Sequence, residues 1–285
     1  MPKILVGAIY ITVNYLDIYT ETKDLIKYTS SSAVRVKILI CLYKGHETMS
    51  DLKNVTGITS STLSHNLSDL ERRKISAKEG EKYFLTPMGK IITINLIENI
   101  KTNSAVTKFQ RLWMGHDLSC IPLHLIKSIG NLYNSELVES ESGEIFKPHE
   151  TYQRIISGSK YIKGVSPIFR FDYIGLYQKL VVEHDIDVEL ILTQDIVNQT
   201  MNGIEENGLK YLQDFMSREK VKFWVIPDDV RIAFTVTDKY LSLGLFHENG
   251  TYDNTKDLIS DDHDAVTWGN QLFNYYRSQA EKLKL

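Results

Sequence analysis

The feature that most constrains this chain is the run TSSTLSHNLSDLERRK at residues 59–74. Leu63, Leu67 and Leu70 recur at i, i+4 and i+7, so one stripe of an α-helix is apolar and faces a core. Ser61, His65, Ser68 and Arg72 share the opposite side, while Ser60, Thr62, Ser64 and Asn66 fill the start and the flanks. Side chains this short can approach base edges, and Arg72, Arg73 and Lys74 fall where a phosphate backbone would pass. The run reads as a recognition helix for duplex DNA, with these ten residues as its candidate contacts.

The flanking sequence fits that reading. Residues 22–43 are helical in pattern, with Val34, Ile38, Leu39 and Leu42 on one face and Gly45 as the stop. Thr48 and Asp51 have the spacing of a capping box, and Met49, Leu52 and Val55 give a short apolar face up to a turn at Gly57 and Ile58. Helix, turn and recognition helix make a helix-turn-helix. Residues 75–77 and 83–85 read as strands around a turn at 78–82, which is a wing, with Lys78 and Lys82 set to reach adjacent phosphates. An α+β winged helix-turn-helix domain is therefore expected over residues 22–86.

Thr86-Pro87 opens another helix, with Pro87 at its first position. Ile91, Ile92, Ile94, Leu96, Ile97 and Ile100 give it more aliphatic surface than a small winged domain covers. A second subunit or the chain's own body must bury it, and residues 87–113 are read as a linker and dimerisation helix. The apolar opening at residues 4–13 is too short to span a bilayer and lacks a small-residue cleavage site. Residues 1–21 are expected to be an apolar extension in contact with a subunit, and the protein to be cytoplasmic, with no membrane partner.

At 285 residues the chain suits two or three domains, and its net charge of −3 is unevenly spread. Up to Ala105, 14 Lys and Arg stand against 10 Asp and Glu; beyond it, 19 stand against 26. A basic module joined to an acidic body suits a nucleic-acid binder attached to something that does not touch nucleic acid. Cys41 and Cys120 cannot build a zinc site alone, so reduced thiols, no metal and no cofactor are expected.

Residues 114–285 change pattern. Strand-like runs at 161–165, 188–192 and 221–226 alternate with helical runs at 152–156, 173–183 and 209–218, which predicts an α/β domain with a largely parallel sheet. Two more strands, 231–236 and 240–246, follow around Thr237-Asp238-Lys239, and a last helix runs from Asp261 to about Lys282. Acidic residues 261–264 around His263 read as a helix start. His116 and Asp117 are read as a cap for the helix near Pro122, with a catalytic pair as the alternative.

Three runs carry a family resemblance: WMGHDLSCIPLHLIKSIGNLYNSELVE (113–139), SKYIKGVSPIF (159–169) and FTVTDKYLSLGLFHENGTYD (234–253). They resemble the methanogenesis regulatory protein family, archaeal winged-helix transcriptional regulators with an effector domain. The resemblance implies control of methanogenesis or one-carbon genes. The same domain resembles, more distantly, half of the phospholipase D fold, whose chemistry needs a histidine nucleophile and a phosphate-holding lysine. Aligning Asp238 with that fold's aspartate places Arg231 at the histidine and Ala233 at the lysine. Arginine stays protonated and alanine holds no phosphate, so no catalysis is expected. What remains is a ligand pocket at the strand ends, with Ser166, Arg170, Thr193, Arg231 and Asp238 as candidates. The expected protein is a dimeric, sequence-specific regulator that binds an operator in double-stranded DNA and answers to a small-molecule or protein effector. A DNA-associated phosphodiesterase or nuclease, and a winged-helix adaptor for protein partners, are the alternatives.

Overall fold

In the computed structural model the described residues are 14–144, 146–168, 171–203, 213, 215–226 and 230–283. The chain divides into two compact units, residues 1–99 and 100–285. Among the described residues no helix is long and apolar enough to cross a membrane.

The first unit contains α1 (Tyr15–Ser30), α2 (Ala33–Lys44), α3 (Met49–Thr56), α4 (Ser60–Arg72) and the start of α5 (Pro87–Lys108), with a small sheet of β1 (Glu47–Thr48), β2 (Ser76–Glu79) and β3 (Lys82–Leu85). The sheet order is β1-β3-β2, all antiparallel. One core joins Ile38, Leu39, Leu52, Leu63, Leu67, Leu70, Ile75 and Leu85. The single helix expected over 22–43 is two: Ser32 breaks it, and its side chain accepts from the Arg35 amide to open α2. The residues expected as an extension already enter α1 at Tyr15, and 1–13 lie outside the described residues.

The capping box at α3 forms, with the Asp51 amide donating to Thr48 Oγ1 at 3.2 Å and the Thr48 amide to Asp51 Oδ2 at 2.9 Å. Gly57 ends α3 at φ 70°, a left-handed conformation that glycine adopts without steric cost. At the start of α5, Thr86 Oγ1 accepts from the Gly89 amide at 3.0 Å, and a Cβ on Gly89 would collide with the Ile75 carbonyl. The absence of a side chain at Gly89 is what lets α5 lie against the base of the wing.

The second unit holds the end of α5, then α6 (Gln110–Gly115), α7 (Leu123–Ile126), β4 (Glu136–Glu139), α8 (Lys147–Ser157), β5 (Tyr161–Ser166), α9 (Phe171–His184), β6 (Asp187–Thr193), α10 (Gln194–Gly203), β7 (Val221–Ile226), β8 (Ile232–Thr237), β9 (Leu241–Leu245), β10 (Lys256–Ser260), α11 (His263–Arg277) and β11 (Glu281–Lys282). Half of the expected helix over 209–218 falls outside the described residues. The eight strands run in the order β11-β7-β6-β5-β8-β9-β10-β4. Only β5-β6 and β6-β7 pair in parallel, so the largely parallel sheet is corrected to a mixed one. The reason lies in the connections: a parallel neighbour needs a long crossover such as α9, whereas the short turn from β8 to β9 forces an antiparallel pair. The last helix stops at Arg277, and the residues expected to continue it return as β11 beside β7.

Period-two alternation sorts the sheet's faces. Ile232, Phe234, Val236, Leu241, Leu243, Leu245 and Leu258 pack with Trp268, Leu272 and Phe273 of α11 in the larger core. The other face is covered at β5 and β6 by an apolar cluster that includes Ile156 of α8 and Leu180 of α9. Over β8 to β10 that face is lined instead by Ala233, Thr235, Ser242, Gly244 and Asp257.

Candidate nucleic-acid interface and effector cavity

Burial of Leu63, Leu67 and Leu70 fixes the roll of α4 about its axis. Ser60, Ser61, Thr62, Ser64, His65, Ser68, Arg72, Arg73 and Lys74 are consequently exposed, and Ser61, His65, Ser68 and Arg72 form the outward stripe. Thr62 is partly committed, since Thr59 Oγ1 donates to its hydroxyl at 3.0 Å while capping the helix. Asn66 does not join the exposed row. It is buried and its Nδ2 donates to the Thr62 carbonyl at 2.8 Å, because its position falls on the flank that turns toward the core.

The cations at the end of α4 differ in their surroundings. Arg72 pairs with the Asp69 carboxylate. Arg73 Nε lies 3.8 Å from the same carboxylate, and its guanidinium sits 3.9 Å from the centroid of the Tyr28 ring, which Arg35 also approaches at 4.2 Å. Lys74 adopts φ 60°. Its amide donates to the Glu71 carbonyl and the Ile75 amide to the Leu70 carbonyl, the paired bonds of a Schellman motif with Lys74 in the left-handed place.

The wing forms as a two-residue hairpin, with Gly80 at φ 58° as the first turn residue. Pairing places Lys78 opposite Tyr83 and Glu79 opposite Lys82. Lys78 and Lys82 therefore project from opposite faces of the ribbon. Glu79 and Glu81 share the tip with them.

Of the expected effector residues, the structure brings one to a cavity. A cavity of about 500 Å³ lies on the α8–α10 side of the sheet, and Ser166 lines it. Thr193 is buried and accepts from the Ile196 amide at the start of α10. Arg231 has its Nη1 3.6 Å from Asp117 Oδ2, while Asp238 accepts from the Lys160 amide at 2.8 Å. Arg231 and Asp238 flank the two ends of β8, roughly 20 Å apart at the rise of a strand, so they cannot hold one ligand. Arg170 lies outside the described residues.

The polar groups that do face the cavity were not expected. Tyr152 Oη lies 2.6 Å from Tyr177 Oη and 3.2 Å from Thr235 Oγ1. Ser242 Oγ donates to Asp257 Oδ2 at 2.6 Å, and Asp257 Oδ1 has no hydrogen-bond partner of good geometry among the described residues. Burial pushes the Asp257 carboxyl up to about 7, against the pull of the Ser242 hydroxyl and the Leu243 amide. The available signal was a set of small or polar residues at alternate positions in otherwise apolar strands, Thr235, Ser242, Gly244 and Asp257.

His116 does not cap the helix near Pro122. Its Nδ1 lies 2.7 Å from the Leu112 carbonyl and therefore carries the proton, and Nε2 lies 3.0 Å from Asp253 Oδ2. Asp117 instead accepts from the Ser119 amide. His247 stacks on His116 at 4.7 Å and completes the one three-residue group among the described residues with metal-ligand geometry. Lys256 Nζ already sits 2.9 Å from the same Asp253 oxygen. Burial would raise the Asp253 carboxyl, but the Thr255 hydroxyl and Lys256 ammonium hold it below the usual carboxylate range. The group thus has its counter-charge without an ion. At residues 261–264, Asp262 accepts from the Asp264 amide and caps α11, as the sequence implied.

Models described as "Methanogenesis regulatory protein FilR1, N-terminal domain" and "middle domain" match residues 23–103 and 145–279. The methanogenesis regulatory protein FilR1 of Methanothrix harundinacea (strain 6Ac) is 26% identical over 258 residues, 90% of this chain. The chain spans 58% of that relative's length. Among solved structures, TrmBL2, an archaeal chromatin protein, is 14% identical over 93% of this chain and 98% of its own, with a TM-score of 0.40. NucT from Helicobacter pylori is 14% identical over 52% of this chain and 98% of its own, with a TM-score of 0.39. At these scores neither structure assigns a role to any residue.

Proposed function

This chain belongs to the methanogenesis regulatory protein family, and on that premise we propose that it is a transcriptional regulator that reads duplex DNA through α4. The name of the Methanothrix relative supports genes of methanogenesis as targets. The observation that carries the reading is α4 itself: three buried leucines hold outward a row of exposed Ser61, Ser64, His65 and Ser68 that ends in Arg72 and Lys74. In the groove, the hydroxyls and the imidazole meet base edges and the cations meet phosphate. Binding as a dimer to a pseudo-palindromic operator is supported by apolar residues left exposed on α1 and α5, and the cavity of the second unit offers an effector its place. Catalysis of the phospholipase D kind lacks a nucleophile at Arg231, whose guanidinium lies against Asp117.

Selection of bound sequences from random duplex DNA tests this. An enriched motif is expected, with affinity falling steeply as salt rises. His65→Ala should flatten the preference among bases, whereas Arg72→Ala should weaken all sequences alike. Recovery of no preferred sequence at any salt concentration would sink the reading and favour an adaptor that binds protein.

A further inference from the structure

A carboxylate in the middle of a sheet has no structural need to be there. Asp257 lies in β10, flanked on both sides by paired strands, and its side chain is buried. Replacing such a group with an apolar one of similar size is usually neutral or stabilising, because taking a charge out of water costs more than a partial set of hydrogen bonds returns. Ser242 donates to Oδ2, Oδ1 has no hydrogen-bond partner of good geometry among the described residues, and Asp257 forms part of the wall of a cavity of about 500 Å³, a volume in the range that binds small molecules.

The rest of the lining narrows the occupant. Tyr152, Tyr177, Phe215, Phe223 and Tyr252 present aromatic rings, and most of the remaining wall is aliphatic. Among the described residues, two side chains of basic type line the space. Lys256 Nζ is held 2.9 Å from Asp253, and His149 Nε2 lies 3.1 Å from Gln153 Nε2. An anionic ligand would therefore face Asp257 without a cation committed to it. An uncharged ligand would leave Asp257 to keep its proton, with nothing to favour the ionised form. A cation with an apolar body satisfies both walls: its charge meets the carboxylate, and its alkyl groups lie on ring faces that attract cations.

We propose that this cavity binds a small organic ammonium ion, with Asp257 as its counter-ion and the aromatic wall around its alkyl or aryl groups. The proposal rests on the second unit being the effector-sensing part of a regulator, and its test keeps the two ideas separable.

The full chain is titrated calorimetrically, and by thermal shift, with n-butylammonium and benzyltrimethylammonium, beside butan-1-ol, benzyl alcohol and butyrate as uncharged and anionic counterparts. At least tenfold tighter binding of the ammonium probes is expected, and Asp257→Asn should abolish that preference. Equal binding of the alcohols, tighter binding of butyrate, or no binding of any ammonium probe at millimolar concentration would overturn the proposal. Should Asp257→Asn fail to fold, the comparison of probes on the unaltered protein decides alone. DNA affinity is measured on the same preparation with and without the probe. Ammonium binding that leaves DNA affinity unchanged supports the ligand class and counts against the effector role; DNA affinity without ammonium binding does the reverse.

Discussion

Lys74 occupies a position that backbone geometry reserves for glycine. At φ 60° a side chain with a Cβ costs about 1–2 kcal/mol relative to right-handed geometry, and the Schellman bonds hold it there regardless. Lys74→Gly should therefore raise stability by about 1 kcal/mol in chemical denaturation and, if the ammonium meets phosphate, weaken DNA binding in the same protein. A gain in stability with unchanged DNA affinity would remove Lys74 from the interface. Asp257 sets a second expectation. Its folded carboxyl titrates at about 7 against 3.8 for the ordinary group, so over that interval the unfolded chain is ionised while the native one holds its proton. The native state binds more protons there, and stability falls as pH rises from 4 to 7. Melting temperature should decline across that range in the ligand-free protein, and Asp257→Asn should flatten the decline.

At the scale of elements, α4 was legible almost to the residue, since amphipathic spacing, a threonine cap and terminal cations all agree there. So were the capping box of α3 and the proline start of α5, where one side chain does one local job. Less legible was whatever depended on distant partners. The break between α1 and α2 falls among Ser30, Ser31 and Ser32, and side-chain spacing alone does not say which of them caps. Strand direction in the second unit follows connection length and neighbours rather than composition, so alternating helices and strands suggested too much parallel pairing. For the effector site, the expected residues were chosen at strand ends by topology, whereas the cavity is built on a face in mid-strand, where Thr235, Ser242 and Asp257 replace apolar residues. Burial also took Asn66 out of the reading row, a loss that a helical stripe drawn from sequence does not resolve.

At the scale of the molecule, exposed apolar surface is concentrated on two helices. Tyr15 and Leu16 on α1 are 79% and 74% exposed, and Ile91 on α5 is 65% exposed, with Ile18, Tyr19 and Ile94 also open to solvent. On the proposed reading a second copy covers these exposed side chains and places two recognition helices on two half-sites. Ile91→Glu combined with Ile94→Glu should give a monomer by light scattering, leave the fold intact by circular dichroism because both positions are exposed, and lower operator affinity at least tenfold. A dimer that survives this pair of charges would move the subunit contact elsewhere.

Tyr28, stacked between Arg35 and Arg73, adds a geometric consequence. The ring belongs to α1, whose outer side is rich in exposed apolar side chains, and one of its two guanidinium companions ends α4, the proposed recognition helix. Sliding α1 along its axis would unstack both cations at once. On the proposed dimer, any such shift on subunit docking would therefore reach Arg73 through one phenol.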